Sequence, residues 1–161
     1  VQTSEIFTGK YHRIVQFFQI PTNREKADME SLGIEFLDYL PNKAYIAPIP
    51  VSLNKANWKN KNIRSIIRMD GSMKKDKSLV DLDLSHFSVQ GKNVNVLLRF
   101  YKNIPIQLAE EKARQTNATI IKKMSSSHLI KIQIAMEEID DFASLPFVSF
   151  IIIAPELGEP E

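Results

Sequence analysis

An internal repeat constrains the fold of this chain more than any other feature. When the sequence is shifted by 84 positions against itself, its apolar pattern aligns without a gap from position 20 to position 70. Ile20-Pro21 then aligns with Ile104-Pro105, and the apolar segment 63–69 aligns with 147–153. Landmarks that share one fixed period indicate a duplicated structural unit. We therefore predict two copies of one module within the 161 residues.

Each copy predicts the same order of elements: strand, helix, two strands, helix and strand. Val94, Val96 and Leu98 alternate with polar residues, which is typical of a half-buried strand. Thr22 and the residue three positions later, Glu25, predict a capping box at the start of the first helix. In the first copy we expect strands near 34–40, 43–49 and 63–69, and a second helix near 52–60. The second copy has the corresponding strands near 118–124, 127–134 and 147–153, and a helix near 136–145.

This order is that of the ferredoxin-like fold. We therefore predict an α+β protein made of two tandem ferredoxin-like βαββαβ modules, each an antiparallel four-stranded sheet with two helices on one face. The expected boundaries are 1–72 for the first module, 73–91 for a linker, and 92–161 for the second module with its C-terminal tail. Gly33 and Asn117 are expected to end the first helix of each copy, because both residue types adopt the left-handed conformation readily.

The composition argues against several kinds of site. The chain has no cysteine, which excludes disulfides and thiolate metal sites, and its net charge of +2 gives little bulk attraction for nucleic acid. No apolar run approaches the ~20 residues that span a bilayer, so no membrane span is predicted. His12, His86 and His128 lack a metal-ligand partner at helical or hairpin spacing.

An acidic cluster, Glu137, Glu138, Asp140 and Asp141, is compatible with a metal site, but its spacing favours an exposed first helical turn. Glycine motifs that bind phosphate are absent. The sequence thus predicts no catalytic, cofactor-binding or metal-binding residues, and no cofactor.

RNA binding is an alternative, because the RNA-recognition module shares this strand order. The chain has aromatic residues on its predicted strands, but it lacks the glycine-aromatic signature of an RNA-binding strand. A solvated basic face is the favoured interpretation, and nucleic acid is not predicted as a partner. The basic stretch in question contains eight cations: Lys55, Lys59, Lys61, Arg64, Arg68, Lys74, Lys75 and Lys77. The acidic cluster near 137–141 carries the opposite charge, so contact between the two modules is one interpretation of this contrast.

The last strand carries the strongest functional signal. The segment 147–153 is apolar at both alternating sets of positions, with Phe147, Ile151 and Ile153 expected on one side. The other sheet face of such a module should be polar in a monomer. We therefore predict that Val148, Phe150 and Ile152 form a partner-docking surface.

Three segments of the first copy resemble a known family. They are Ile20-Pro21-Thr22, Leu32-Gly33-Ile34 and the turn Tyr39-Leu40-Pro41-Asn42-Lys43-Ala44-Tyr45. Together they are similar to the N-terminal region of secreted bacterial subtilisin-like serine proteases. The resemblance covers roughly residues 11–50, is weaker to 70, and is limited to the apolar pattern in the second copy.

The resemblance implies a propeptide that is a folding chaperone and protease inhibitor. It implies an extracytoplasmic protein, periplasmic, cell-surface or secreted, whose partner is the subtilisin-like catalytic domain in cis. The open sheet face would dock on that domain, and Glu156, Leu157, Gly158 and Glu159 would form the inhibitory tail.

The chain departs from a simple propeptide because its module is doubled and no cleavage junction is identifiable. The catalytic motifs of subtilisins are absent, so this segment is predicted to be a non-catalytic part of a serine protease precursor. The alternative is a stand-alone tandem protein that binds a ligand or another protein.

Overall fold

The computed structural model describes residues 1–54, 56, 62–80 and 89–155. The chain divides into two compact units, Val1–Met69 (unit 1) and Asp70–Glu161 (unit 2). Each unit contains an antiparallel sheet and at least one helix, which confirms the predicted α+β class. Residues 73–80, predicted as part of a linker, belong to unit 2, as do residues 70–72, which were assigned to the first module; residues 81–88 lie outside the described residues.

Unit 1 is built around its longest strand, β2, which lies at the centre of the sheet. Strand β4 pairs with one edge of β2, β3 lies beyond β4, and β1 and β5 pair with different parts of the other edge. The elements are β1 (Ile6–Phe7), β2 (Lys10–Phe17), α1 (Asn23–Glu30), β3 (Tyr39–Leu40), β4 (Ala44–Pro50) and β5 (Ile63–Arg68).

Unit 2 repeats this arrangement with β7 at the centre, β9 and then β8 on one side, and β6 and β10 on the other. Within the described residues of unit 2, helices of ten and six residues and a four-residue helical turn accompany the sheet. The elements are α2 (Lys77–Val80), β6 (Val89–Gln90), β7 (Asn93–Phe100), α3 (Ile106–Gln115), β8 (Thr119–Met124), β9 (Leu129–Ala135), α4 (Ile139–Ser144) and β10 (Val148–Ile153).

The strand register corrects the repeat alignment. Val15 pairs with Tyr45 and Ile66, and Leu98 pairs with Ile130 and Ile151. The central strands therefore correspond at 83 positions and the later strands at 85. A gapless shift of 84 was therefore wrong by one residue in these strands. The second copy has one extra residue between its central strand and the end of its first helix, and another between that helix end and the next strands. A one-residue slip matters because it exchanges the two faces of a strand.

The predicted capping box is confirmed at the start of α1. The Thr22 hydroxyl accepts from the Glu25 N–H at 3.2 Å, and the Glu25 carboxylate accepts from the Thr22 N–H at 2.8 Å. The predicted left-handed residues are also confirmed, since φ is 85° at Gly33 and 63° at Asn117. Each lets the next residue, Ile34 or Ala118, donate back to the last turn of its helix.

The strand predicted near 34–40 is shorter in the structure, because only β3, Tyr39–Leu40, has regular ladder geometry. Residues 34–38 still run beside β4, where the Leu37 N–H donates to the Ile46 carbonyl at 2.9 Å. Phe36 in this segment packs edge-on against Tyr45, with ring centroids 5.4 Å apart, and joins the core of unit 1. The second helix predicted near 52–60 falls largely outside the described residues.

Candidate docking face of unit 2

A β-bulge alters the predicted docking residues. Val148 lies opposite Phe100 and Phe150 lies opposite Arg99, so the register shifts by one residue between them. Because of this shift, Val148 is fully buried while Phe150 and Ile152 are half-buried on the other side of β10. Strict alternation was therefore wrong at Val148, which does not belong to the predicted surface.

Phe150 and Ile152 continue across the sheet as two rows. Ile152 lies opposite Leu97, and Leu97 lies opposite Lys131. Phe150 lies opposite Arg99, and Arg99 lies opposite Leu129. The residues that alternate with them along β7 and β9 are buried, so these side chains lie on the opposite face of the sheet. We call this surface the open face of unit 2; with the β8 residues that extend the rows, it consists of Leu97, Arg99, Lys122, Met124, Leu129, Lys131, Phe150 and Ile152.

The open face is apolar and cationic. Within the described parts of the chain, no carboxylate lies within ion-pair distance of Arg99, Lys122 or Lys131. The helix side of the same sheet differs, because Lys123 and Arg114 both pair with Glu110, at 2.9 and 3.0 Å. Hydrogen bonds from Lys123 and then Arg114 lower the pKa of Glu110. Positive charge is thus balanced on one side of this sheet and unbalanced on the other.

Unit 1 has a different surface at the equivalent positions. Ile14 lies between Ile46 and Ile67, where unit 2 has Leu97 between Lys131 and Ile152. Gln16 takes the position of Arg99 and hydrogen-bonds the Ser65 hydroxyl at 3.0 Å. The row of three isoleucines carries no charge. The two sheets share a register but present different chemistry.

The other candidate residues are dispersed. The candidate tail residues Glu156, Leu157, Gly158 and Glu159 lie outside the described residues, as does His86. His12 is buried in β2, and the His128 ring packs against Phe100 with centroids 5.4 Å apart. Asp140 and Asp141 lie in the first turn of α4, as the helical interpretation of the acidic cluster expects. Within the described ranges, no three histidine or acidic side chains are placed to hold a metal ion.

The basic stretch does not form one exposed surface. Lys55, Lys59 and Lys61 lie outside the described residues. Lys74 is buried, Lys75 forms an ion pair with Asp140, and Arg68 pairs with Glu5 at 2.7 Å. Part of this stretch is therefore structural.

Residues 70–80 form a strap on unit 2 that the sequence did not reveal. Lys75 makes a parallel bridge to Ile151, and the Asp76 N–H donates to the Ile151 carbonyl at 2.9 Å. Leu79 in the same segment is only 2 % exposed. The strap thus covers part of the outer edge of β10 and protects it from pairing with another chain.

Residues 2–70 match the sequence model of a family described as a domain of unknown function (DUF8729). The match coincides with unit 1 and leaves unit 2 outside it. No curated protein and no solved structure matches the chain. No helix in the described ranges is both long and apolar enough to cross a membrane.

Proposed function

We propose that this chain is the non-catalytic prodomain of an extracytoplasmic subtilisin-like serine protease, and that it is both folding chaperone and inhibitor. The observation that carries the proposal is the open face of unit 2. Phe150, Ile152 and Leu97 form an apolar surface that their own unit leaves only half-buried. Such a surface favours association with another protein over catalysis.

We further propose that each unit is a ferredoxin-like module. The strand order supports this, since the first long strand of each unit lies between the third and fourth, and the second lies outside the third. The match that ends at residue 70 supports the division into two modules. The resemblance in residues 11–50 to subtilisin-type propeptides supplies the identity of the partner, and unit 2 would supply the docking surface and the tail 156–161.

Two measurements test this function. The chain is added to a subtilisin-like catalytic domain from the same organism during refolding from guanidinium chloride, and the peptidase activity that returns is measured. It is then titrated against the folded enzyme. We expect higher refolding yield and inhibition at micromolar concentration or below. If the chain shows neither effect at that concentration, the proposal is wrong.

A variant separates docking from folding. Phe150→Asp places a charge on the open face and should weaken inhibition more than it lowers the thermal midpoint of unit 2. Phe7→Asp, at a buried position of unit 1, is the comparison that should unfold its unit. Parallel loss of inhibition and stability in Phe150→Asp would show that Phe150 belongs to the core.

The alternative function is a stand-alone tandem protein that binds other proteins through two faces. The different chemistry of the two sheets favours it, because Ile46 and Lys131 occupy equivalent positions. The coding sequence after Glu161 separates the two functions: catalytic Asp, His and Ser motifs downstream support the prodomain.

A further inference from the structure

We propose that the open face of unit 2 binds an acidic and apolar surface of a protein partner. The inference rests on the proposed function for the identity of the partner, and it adds the chemistry that the partner must present.

The cations of the open face repel one another. Lys122 and Lys131 are directly opposite each other on β8 and β9, and like charges at such positions destabilise a sheet. Arg99 adds a third cation on the neighbouring strand and is exposed. A carboxylate placed over these residues would relieve the repulsion as it binds.

Three other cations of unit 2 have carboxylate partners. Lys75 pairs with Asp140, and Arg114 and Lys123 share Glu110. The three cations of the open face have none among the carboxylates of the described ranges. The charge on this face is therefore available to an external acidic group, and complementarity of this kind speeds encounter and selects partners.

The side chains of the open face favour a protein partner over a nucleic acid. RNA-recognition sheets stack bases on aromatic side chains of their central strands. Here the central strands present Leu97, Arg99, Leu129 and Lys131, and the one aromatic residue, Phe150, lies on the edge strand β10. Aliphatic rows of this kind match apolar protein side chains better than bases. A second copy would bring a face of the same positive charge and would be repelled.

The experiment uses labelled amphipathic peptides with leucine at helical spacing and either glutamate or lysine at the other positions, together with single-stranded oligouridylate. Binding to the whole chain is measured by fluorescence anisotropy from about 0.1 M to about 1 M NaCl, where the Debye length falls from about 10 Å to about 3 Å. The test variant is Arg99→Gln/Lys131→Gln. The control, Lys77→Gln/Lys92→Gln, removes the same charge from exposed positions elsewhere in unit 2.

We expect the acidic peptide to bind more tightly than the basic one, and salt to weaken it. The Arg99→Gln/Lys131→Gln variant should lose about two- to thirtyfold in affinity, since two exposed ion pairs contribute about 0.2–1 kcal/mol each, while the control binds like the parent. Equal binding of the two peptides, tighter binding of oligouridylate, or self-association that the test variant abolishes would each overturn the inference.

Protease inhibition separates this inference from the proposed function. If the chain binds the acidic peptide but neither inhibits nor refolds the protease, the inference stands and the proposed function fails. If the chain inhibits the protease equally well in high salt and in the Arg99→Gln/Lys131→Gln variant, the proposed function stands and the inference fails.

Discussion

The Lys74 side-chain amine donates a hydrogen bond to the Leu145 carbonyl oxygen, 3.2 Å away. Leu145 caps the C-terminal end of α4, where carbonyls lack helical donors and a positive charge is favourable. Lys74 is 5 % exposed, and its amine also lies 5.8 Å from the centre of the Tyr101 ring. This contact fixes the strap to the rest of unit 2.

Replacing this lysine should destabilise unit 2. Lys74→Ala removes a charged donor and the packing of its stem, and we expect a loss of about 1–3 kcal/mol in the free energy of unfolding. Urea denaturation followed by circular dichroism measures the loss. Lys77→Ala is the control, because Lys77 lies three residues later and is exposed. Similar losses in the two variants would show that the Leu145 contact contributes nothing specific.

An acid-sensitive contact holds the N-terminal turn of unit 1. The Glu5 carboxylate accepts from the Gln2 N–H at 2.7 Å and from Arg13 at 3.1 Å, and it forms an ion pair with Arg68 at 2.7 Å. Burial raises the pKa of Glu5, but the Gln2 hydrogen bond and the two guanidinium groups outweigh it, so the pKa lies below its ordinary value of 4.5. The folded state therefore holds this carboxylate ionised at a pH where the unfolded chain protonates it.

The pH dependence of stability follows from the lowered pKa of Glu5. The stabilisation is complete above the unfolded pKa and is lost as pH falls through the folded pKa. Glu5→Gln should lower the stability of unit 1 at neutral pH by about 1 kcal/mol and flatten its decline in acid. Thermal melts at a series of pH values check this, with the exposed Glu30→Gln in the same unit as control. An unchanged acid decline would assign the pH dependence to other carboxylates.

Two glycines of unit 1 offer a matched test of backbone geometry. Gly33 and Gly9 both have positive φ, 85° and 75°. A Cβ at Gly33 would lie 3.0 Å from Pro50 Cγ, whereas one at Gly9 would meet nothing within 4 Å. Gly9→Ala should cost about 1–2 kcal/mol for the left-handed conformation alone, and Gly33→Ala should cost more. Equal shifts in the urea midpoint would mean that Pro50 moves away without penalty.

Short-range features of this fold could be predicted from the sequence, and register could not. The capping box at Thr22 and the left-handed residues Gly33 and Asn117 depend on neighbours within a few positions. The register depends on single extra residues between elements, and an apolar pattern tolerates a slip of one position. The bulge in β10 has the same origin: Ser149 has no partner position in the ladder with β7, and the apolar residues around it do not show that the alternation shifts there.

The open face was only half predictable for a related reason. Phe150 and Ile152 could be identified because they lie on one strand. Arg99, Lys122 and Lys131 come from three other strands, and only the sheet register places them together. Lys74 was assigned to a solvated basic stretch, since nothing within its own segment indicates that it reaches the end of α4.

The bulge in β10 makes a prediction that strict alternation does not. Threonine has nearly the shape of valine but carries a hydroxyl, and burying an unpaired hydroxyl costs about 1–3 kcal/mol in proteins. Val148→Thr should therefore destabilise unit 2 by that amount, because Val148 is fully buried. Ile152→Thr, on the half-buried open face, should cost less in stability and should weaken binding to the acidic peptide. Urea denaturation and fluorescence anisotropy on both variants separate these effects. If Val148→Thr instead weakened binding without loss of stability, Val148 would lie on the open face and the bulge would be misplaced.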